Sequence, residues 1–133
     1  MKYLLDTNVC IRYMQGRVTA IRDAIHARRS ESMSICSVVR AELFYGAMKS
    51  QFPSETLDKQ RRFLDCFPTL PFDDRSALIF GQIRADLHRQ GMPIGPYDLQ
   101  IAAIALANNL TLVTHNTREF SRIAGLQLTD WEI

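Results

Sequence analysis

KYLLDTNVCIRYMQG, residues 2–16, passes from one kind of periodicity to another without a spacer. Residues 2–6 read as a short strand, because the unbroken apolar run Tyr3, Leu4, Leu5 suits a strand covered on both faces. Asp6, Thr7 and Asn8 then offer side-chain oxygens to the free N–H groups of a helix that runs toward Gly16. A strand that turns at once into a helix is the first half of a βαβ unit.

The same alternation continues along the chain. Residues 18–29 place Val18, Ile21 and Ile25 on one helical face, residues 32–36 are strand-like, and residues 37–50 form a helix with Ser37 as its N-cap. Pro53 starts a further helix, residues 69–72 make a strand, and residues 74–90 a long helix that stops at Gly91. GMPIGPYDLQIAAIALANN (91–109) holds a Gly/Pro-rich approach and then a helix opened by Asp98; residues 111–116 are a β-branched strand, with a weak last strand near residues 126–128. Strands alternating with helices predict a single α/β domain over residues 1–133, a mainly parallel sheet flanked by helices in an α/β/α sandwich.

The totals agree with one domain, since 133 residues can bury roughly two thirds of the unfolded surface. Cys10, Cys36 and Cys66 are odd in number, widely spaced and in apolar surroundings, which predicts reduced core thiols in a cytoplasmic protein and no disulfide framework or zinc site. No stretch near the start has the form of a signal peptide, and the apolar run at residues 101–107 is far short of the ~20 residues a membrane span needs, so no membrane partner is expected. Of 16 basic residues 13 are arginine, and no lysine follows Lys59. Arginine's planar fork suits phosphate or carboxylate partners, although a net charge of +2 is too small for strong non-specific binding to nucleic acid.

Ligands of open parallel sheets bind beyond the carboxyl ends of the strands. Asp6 closes the first strand there, Asn116 and Glu119 follow the late one, and Asp98 opens the helix leading into it. Each acid has a plain structural reading: Asp6 as a helix cap, Asp98 as a charge facing a helix dipole, Glu119 as a solvated loop residue. Glu42 lies in VVRAELFYGAM on a face shared with Val38 and Val39, where a carboxylate needs a cation, either Arg84 or a bound metal. Taken together, four hard oxygen donors without histidine or cysteine suit Mg²⁺ or Mn²⁺. Such ions activate water and stabilise the charge on a phosphate under attack.

LLDTN (4–8), SVVRAELFYGA (37–47), GPYDLQIAAIA (95–105) and LVTHNTREFSRIAGLQLTDW (112–131) span almost the whole chain. In that order they resemble the PIN-domain ribonucleases of the VapC toxin type. The resemblance implies a metal-dependent endoribonuclease that arrests translation. Asp6, Glu42 and Asp98 would form its acidic cluster, Asp6 and Asp98 would hold Mg²⁺ (or Mn²⁺), and Thr7 and Ser37 would support them through their hydroxyls. Many PIN domains carry an aspartate where this chain has Asn116, and Glu119 is expected to replace it as a ligand or water-positioning base. Arg84 is expected either to bridge the cluster or the substrate phosphate, or to be an ordinary surface arginine. Arg118 and Arg122 are candidates for holding RNA phosphates, and His115 for a loop residue without a catalytic role.

The resemblance further implies a VapB-type antitoxin that lies along the toxin and can place an arginine in the acidic pocket, homodimers joined into larger toxin–antitoxin complexes, and a tRNA substrate, with the initiator tRNA anticodon stem-loop as the expected target. Phe44, Tyr45, Phe52 and Phe63 are candidates for either a partner groove or core packing. A signalling receiver domain would need an acidic pair after the first strand and a late lysine, and the chain has neither. A PIN domain that binds RNA or protein without cutting stays open as the alternative because of Asn116.

Overall fold

The structure, a computed structural model, describes residues 1–133. β1 (Tyr3–Leu5) leads into α1 (Thr7–Gln15), followed by α2 (Thr19–His26), a 3-10 turn at Ser30–Ser32, β2 (Met33–Cys36), α3 (Ser37–Met48), α4 (Pro53–Leu64) and β3 (Thr69–Leu70). Then come α5 (Asp74–Arg89), α6 (Pro96–Ala107), β4 (Thr111–Val113), α7 (Thr117–Phe120) and β5 (Leu128–Thr129). The five strands form one sheet in the order β3-β2-β1-β4-β5, every pair parallel. The predicted α/β architecture with a parallel sheet is therefore the one observed. No helix is long and apolar enough to cross a membrane.

β1 occupies the centre, and Leu4 and Leu5 are fully buried between β2 and β4. From β1 the chain builds outward to β2 and β3, then returns through α5 and α6 to place β4 on the other side of β1. That reversal creates a crevice at the carboxyl ends of β1 and β4, where ligands of such sheets bind.

α6 explains the apolar run at residues 101–107. Leu99 and every residue from 101 to 105 are buried, so the helix is enclosed on all sides and needs no polar face. It starts where Pro96 supplies a fixed φ at the first turn and Gly95 stands as N-cap residue without a side-chain cap. α5 packs against it and ends at Arg89 with Gln90 as C-cap; Gly91 follows in the left-handed region, φ 68°, which a β-carbon would strain.

Several expectations shift. Cys36, not Ser37, is the N-cap residue of α3; Ser37 is its first helical residue, and no side chain caps the helix because β2 runs straight into it. The strands expected at 69–72 and 111–116 shorten to Thr69–Leu70 and Thr111–Val113, and the last strand lies at Leu128–Thr129. Cys10 and Cys36 are buried with thiols pushed upward by desolvation, Cys36 to about 11, but Cys66 in the turn after α4 is exposed. Phe44 and Phe63 pack on the core, whereas Tyr45 and Phe52 face solvent.

Candidate active site

Asp6 follows β1 directly, and its backbone N–H donates to the Val113 carbonyl at 3.1 Å, which fastens it between β1 and β4. Its Oδ1 accepts from the Val9 N–H at 2.9 Å, so the cap reading is correct and one carboxylate oxygen is fixed by the start of α1. Burial pushes the Asp6 carboxyl above its ordinary range; the Thr114 hydroxyl and the Val9 N–H pull it back, and the charges of Glu42 and Glu132 push it up again.

Thr7, the next residue, donates its hydroxyl to Glu42 Oε1 at 2.6 Å and so ties α1 to α3. Glu42 is half-buried, which makes its desolvation milder than an enclosed apolar helix implied, and its recorded partner is Thr7 and not a cation. Arg84 does not reach it. The Arg84 side chain is exposed on α5 with its guanidinium 5.6 Å from the centre of the Phe80 ring, and it forms no ion pair. It lines a separate cavity of about 110 Å³ with Leu87 and Leu99, because the face that α5 turns toward α6 carries Leu87. Ser37 is exposed and makes no side-chain hydrogen bond to the acids.

Asp98 lies in the first turn of α6, half-buried. Its carboxyl is raised from an ordinary 3.8 to about 6, first by burial and then by the charges of Glu119, Glu42 and Asp6. Three acids distant in sequence thus act on a fourth, which places Asp6, Glu42, Asp98 and Glu119 in one electrostatic neighbourhood. Glu119 sits on α7, where its Oε2 accepts from Asn116 Nδ2 at 3.3 Å. Asn116 is itself held by its N–H to Thr114 Oγ1 at 3.0 Å. No three of the quartet's carboxylates bring oxygens within 4.8 Å of one another, so the side chains are not gathered into a closed ligand set. A cavity of about 370 Å³ beside it is lined by Glu42, Ala41 and two exposed rings, Tyr45 and Tyr97.

Two contributors escaped the sequence reading. Thr114 is fully buried at the end of β4 and contacts both Asp6 and Asn116; a threonine at a strand's carboxyl end was a visible signal. Glu132, far along the chain, bears on Asp6 through space, for which the sequence held no signal.

The crowding has a measurable consequence in metal-free protein. Asp98 binds its proton more tightly folded than unfolded, so between about pH 4 and 6 the native state carries more protons and stability falls as pH rises. This contribution is fully present below about pH 4 and lost above about pH 6. Two pH units amount to about 3 kcal/mol, which solvent screening at a half-exposed carboxyl reduces to about 1–2 kcal/mol. Urea unfolding in chelator is expected to show Asp98→Asn gaining that much on the wild type as pH rises across the window; a constant difference would refute it.

Residues 3–126 match the PIN domain family. Over 131 residues the chain is 42% identical to the tRNA(fMet)-specific endonuclease VapC of Shigella flexneri, with 98% of both chains covered. Ribonuclease VapC2 of Haemophilus influenzae (strain ATCC 51907 / DSM 11121 / KW20 / Rd) is 37% identical over 131 residues, again covering 98% of each. The fold superposes on DNA-bound VapBC from Salmonella typhimurium with a TM-score of 0.93 at 41% identity, covering 98% of both chains. It matches VapBC2 from Rickettsia felis, bound to a DNA fragment from its promoter, at 0.92 and 34% identity, covering 98% of this chain and 99% of that one. Acids gathered at the switch point of a parallel sheet, and a likeness that runs the length of the chain, have one common source: the protein belongs to the PIN domain family, among its VapC-type ribonucleases.

Proposed function

We propose that this protein is a divalent-metal-dependent endoribonuclease, the toxin of a toxin–antitoxin pair, which acts in the cytoplasm on initiator tRNA at the anticodon stem-loop. The observation that carries the reading is the gathering of Asp98 with Asp6, Glu42 and Glu119 at the mouth of the sheet, where burial first and then the three like charges raise the Asp98 carboxyl to about 6. Relatives named as tRNA(fMet)-specific endonucleases support the substrate, and the VapBC structures support a VapB-type antitoxin.

The donor set fits Mg²⁺ or Mn²⁺. Its four acidic groups are carboxylates, hard oxygen donors of the kind these ions take, and a cation relieves their mutual repulsion. When bound, the ion supplies an activated water and neutralises charge developing on the phosphate. Asp6 and Asp98 are the residues to hold it, Asp6 with one oxygen already committed to the α1 cap. Thr7 fixes the orientation of Glu42, whose second oxygen stays available. Glu119, steadied by the Asn116 amide, replaces the acid that Asn116 lacks, as a ligand or as the group that orients the water. Tyr45 and Tyr97 present exposed rings beside Glu42 on which unpaired bases of an RNA loop can stack. Arg118, exposed on α7, and Arg122 behind it are candidates for backbone phosphates.

The antitoxin has two features to use: the exposed apolar side chains of Tyr45, Met48 and Phe52, and the acidic pocket, which a guanidinium can occupy in competition with the metal. The test is cleavage of purified tRNA with Mg²⁺ and with chelator. Cleavage restricted to the metal-containing reaction supports the proposal, and RNA binding with no turnover in either favours the non-catalytic alternative. Glu119→Gln is expected to weaken Mn²⁺ binding and slow cleavage by roughly 10–100-fold, the range for disturbing a metal's supporting groups. Wild-type values for both would remove Glu119 from the site.

A further inference from the structure

Outside the acid quartet, one cluster joins donors from two distant parts of the chain. His115, in the loop after β4, and Asp130 and Glu132, beyond β5, bring His115 Nδ1, Asp130 Oδ2 and a Glu132 carboxylate oxygen within 4.8 Å of one another. Nδ1 stands 2.9 Å from Asp130 Oδ2 and 3.4 Å from Glu132 Oε2. Donors bound at about 2.0–2.2 Å on adjacent corners of an ion's coordination shell stand about 3.0–3.4 Å apart, close to the two separations from Nδ1.

A second observation points the same way. The Glu132 side chain is only 10% exposed; its Oε1 pairs with Arg12 Nη1 at 3.2 Å, but its Oε2 is buried without a hydrogen-bond partner. Asp130 is preset as well, its Oδ1 accepting the Glu132 N–H at 2.9 Å and leaving Oδ2 toward His115. His115 is 55% exposed, which gives an ion a path from solvent.

We propose that His115, Asp130 and Glu132 form a second metal site, selective for a borderline transition ion such as Zn²⁺ or Co²⁺, which clamps the C-terminal segment to the loop carrying Asn116. One imidazole and two carboxylates favour such ions over Mg²⁺. Arg12 stays on Oε1 and offsets part of the negative charge, while Oε2 gains the partner it lacks. None of its ligands belongs to the quartet, so the site stands on its own donors, although the Glu132 charge also reaches Asp6.

Trp131, the only tryptophan, is buried between two of the ligands and reports occupancy. Co²⁺ is titrated into the full chain in excess Mg²⁺, which fills the quartet, and Trp131 fluorescence is followed. One equivalent is expected to quench the wild type and Asp98→Asn alike, and Zn²⁺ to displace it. His115→Gln and Glu132→Gln are expected to weaken binding by at least about 100-fold, beyond the roughly 10–100-fold cost of an outer-shell loss. Melts of the metal-free variants verify folding, which the exposed His115 position favours. Absence of quenching, quenching unchanged in both site variants, or quenching lost in Asp98→Asn would overturn the site.

Discussion

Asp98→Asn is expected to lower the single-turnover rate of RNA cleavage at saturating Mg²⁺ by about 10³-fold, because Asp98 is one of the two residues that hold the ion which meets the charge developing on the phosphate. The amide has nearly the carboxylate's shape, so Pro96 still opens α6 and the core residues of that helix stay in place. What disappears is one of the four negative charges that make the pocket attractive to a cation, replaced by a neutral and weaker oxygen donor. The carboxylate is ill-placed for stability alone: no hydrogen bond holds it, and burial with three like charges keeps its proton on up to about pH 6. The variant should therefore melt no lower than the wild type at pH 7 in chelator while it cleaves almost nothing. Retained cleavage at saturating Mg²⁺ would remove Asp98 from the reaction.

The largest effect on stability is expected at α6. Ile104 is 0% exposed, within a helix enclosed by β4 on one side and α5 on another, and truncation to alanine leaves a space that its neighbours cannot close. Ile104→Ala is expected to cost about 2–5 kcal/mol of unfolding free energy. Leu78→Ala on the outer face of α5, where the side chain is 65% exposed, should stay within about 0.5 kcal/mol. Urea midpoints of the two variants check this, and equal midpoints would contradict the enclosed placement of α6. Because Asp98 stands on the same helix, Ile104→Ala should also loosen the site and weaken Mg²⁺ binding.

The architecture was legible because its signals are local. LLD followed by TN marks a strand end and a helix start within five residues, and the apolar circumference of residues 101–107 announces an enclosed helix. Edge strands were blurred for a physical reason: β3 and β5 pair on one side only, so two residues suffice and their apolar pattern has no room to develop. Asp6, Glu42, Asp98 and Glu119 stood out in the sequence because acids at strand ends and helix starts contrast with apolar neighbours, and the fold brings their charges into one neighbourhood. Arg84 stayed open between a bridge to the acids and an ordinary surface arginine because sequence gives a helix its faces but not its rotation against the next helix, and α5 turns this face outward. Cys66 looked apolar between Leu64 and Phe67, yet it lies at the turn after α4, where the chain emerges into solvent. Asp130 and Glu132 were invisible as partners of His115, since only the pairing of β5 with β4 brings the end of the chain to that loop.

The central claim is that the acids at the mouth of β1 and β4 cut a defined RNA. It is tested most directly by inducing the protein without its antitoxin and sequencing the new RNA 5′ ends, with Asp98→Asn induced in parallel. New ends are expected within the anticodon stem-loop of initiator tRNA for the wild type and none for the variant. Intact tRNA alongside cleaved messenger RNA would contradict the substrate, and the same ends in both strains would contradict the site.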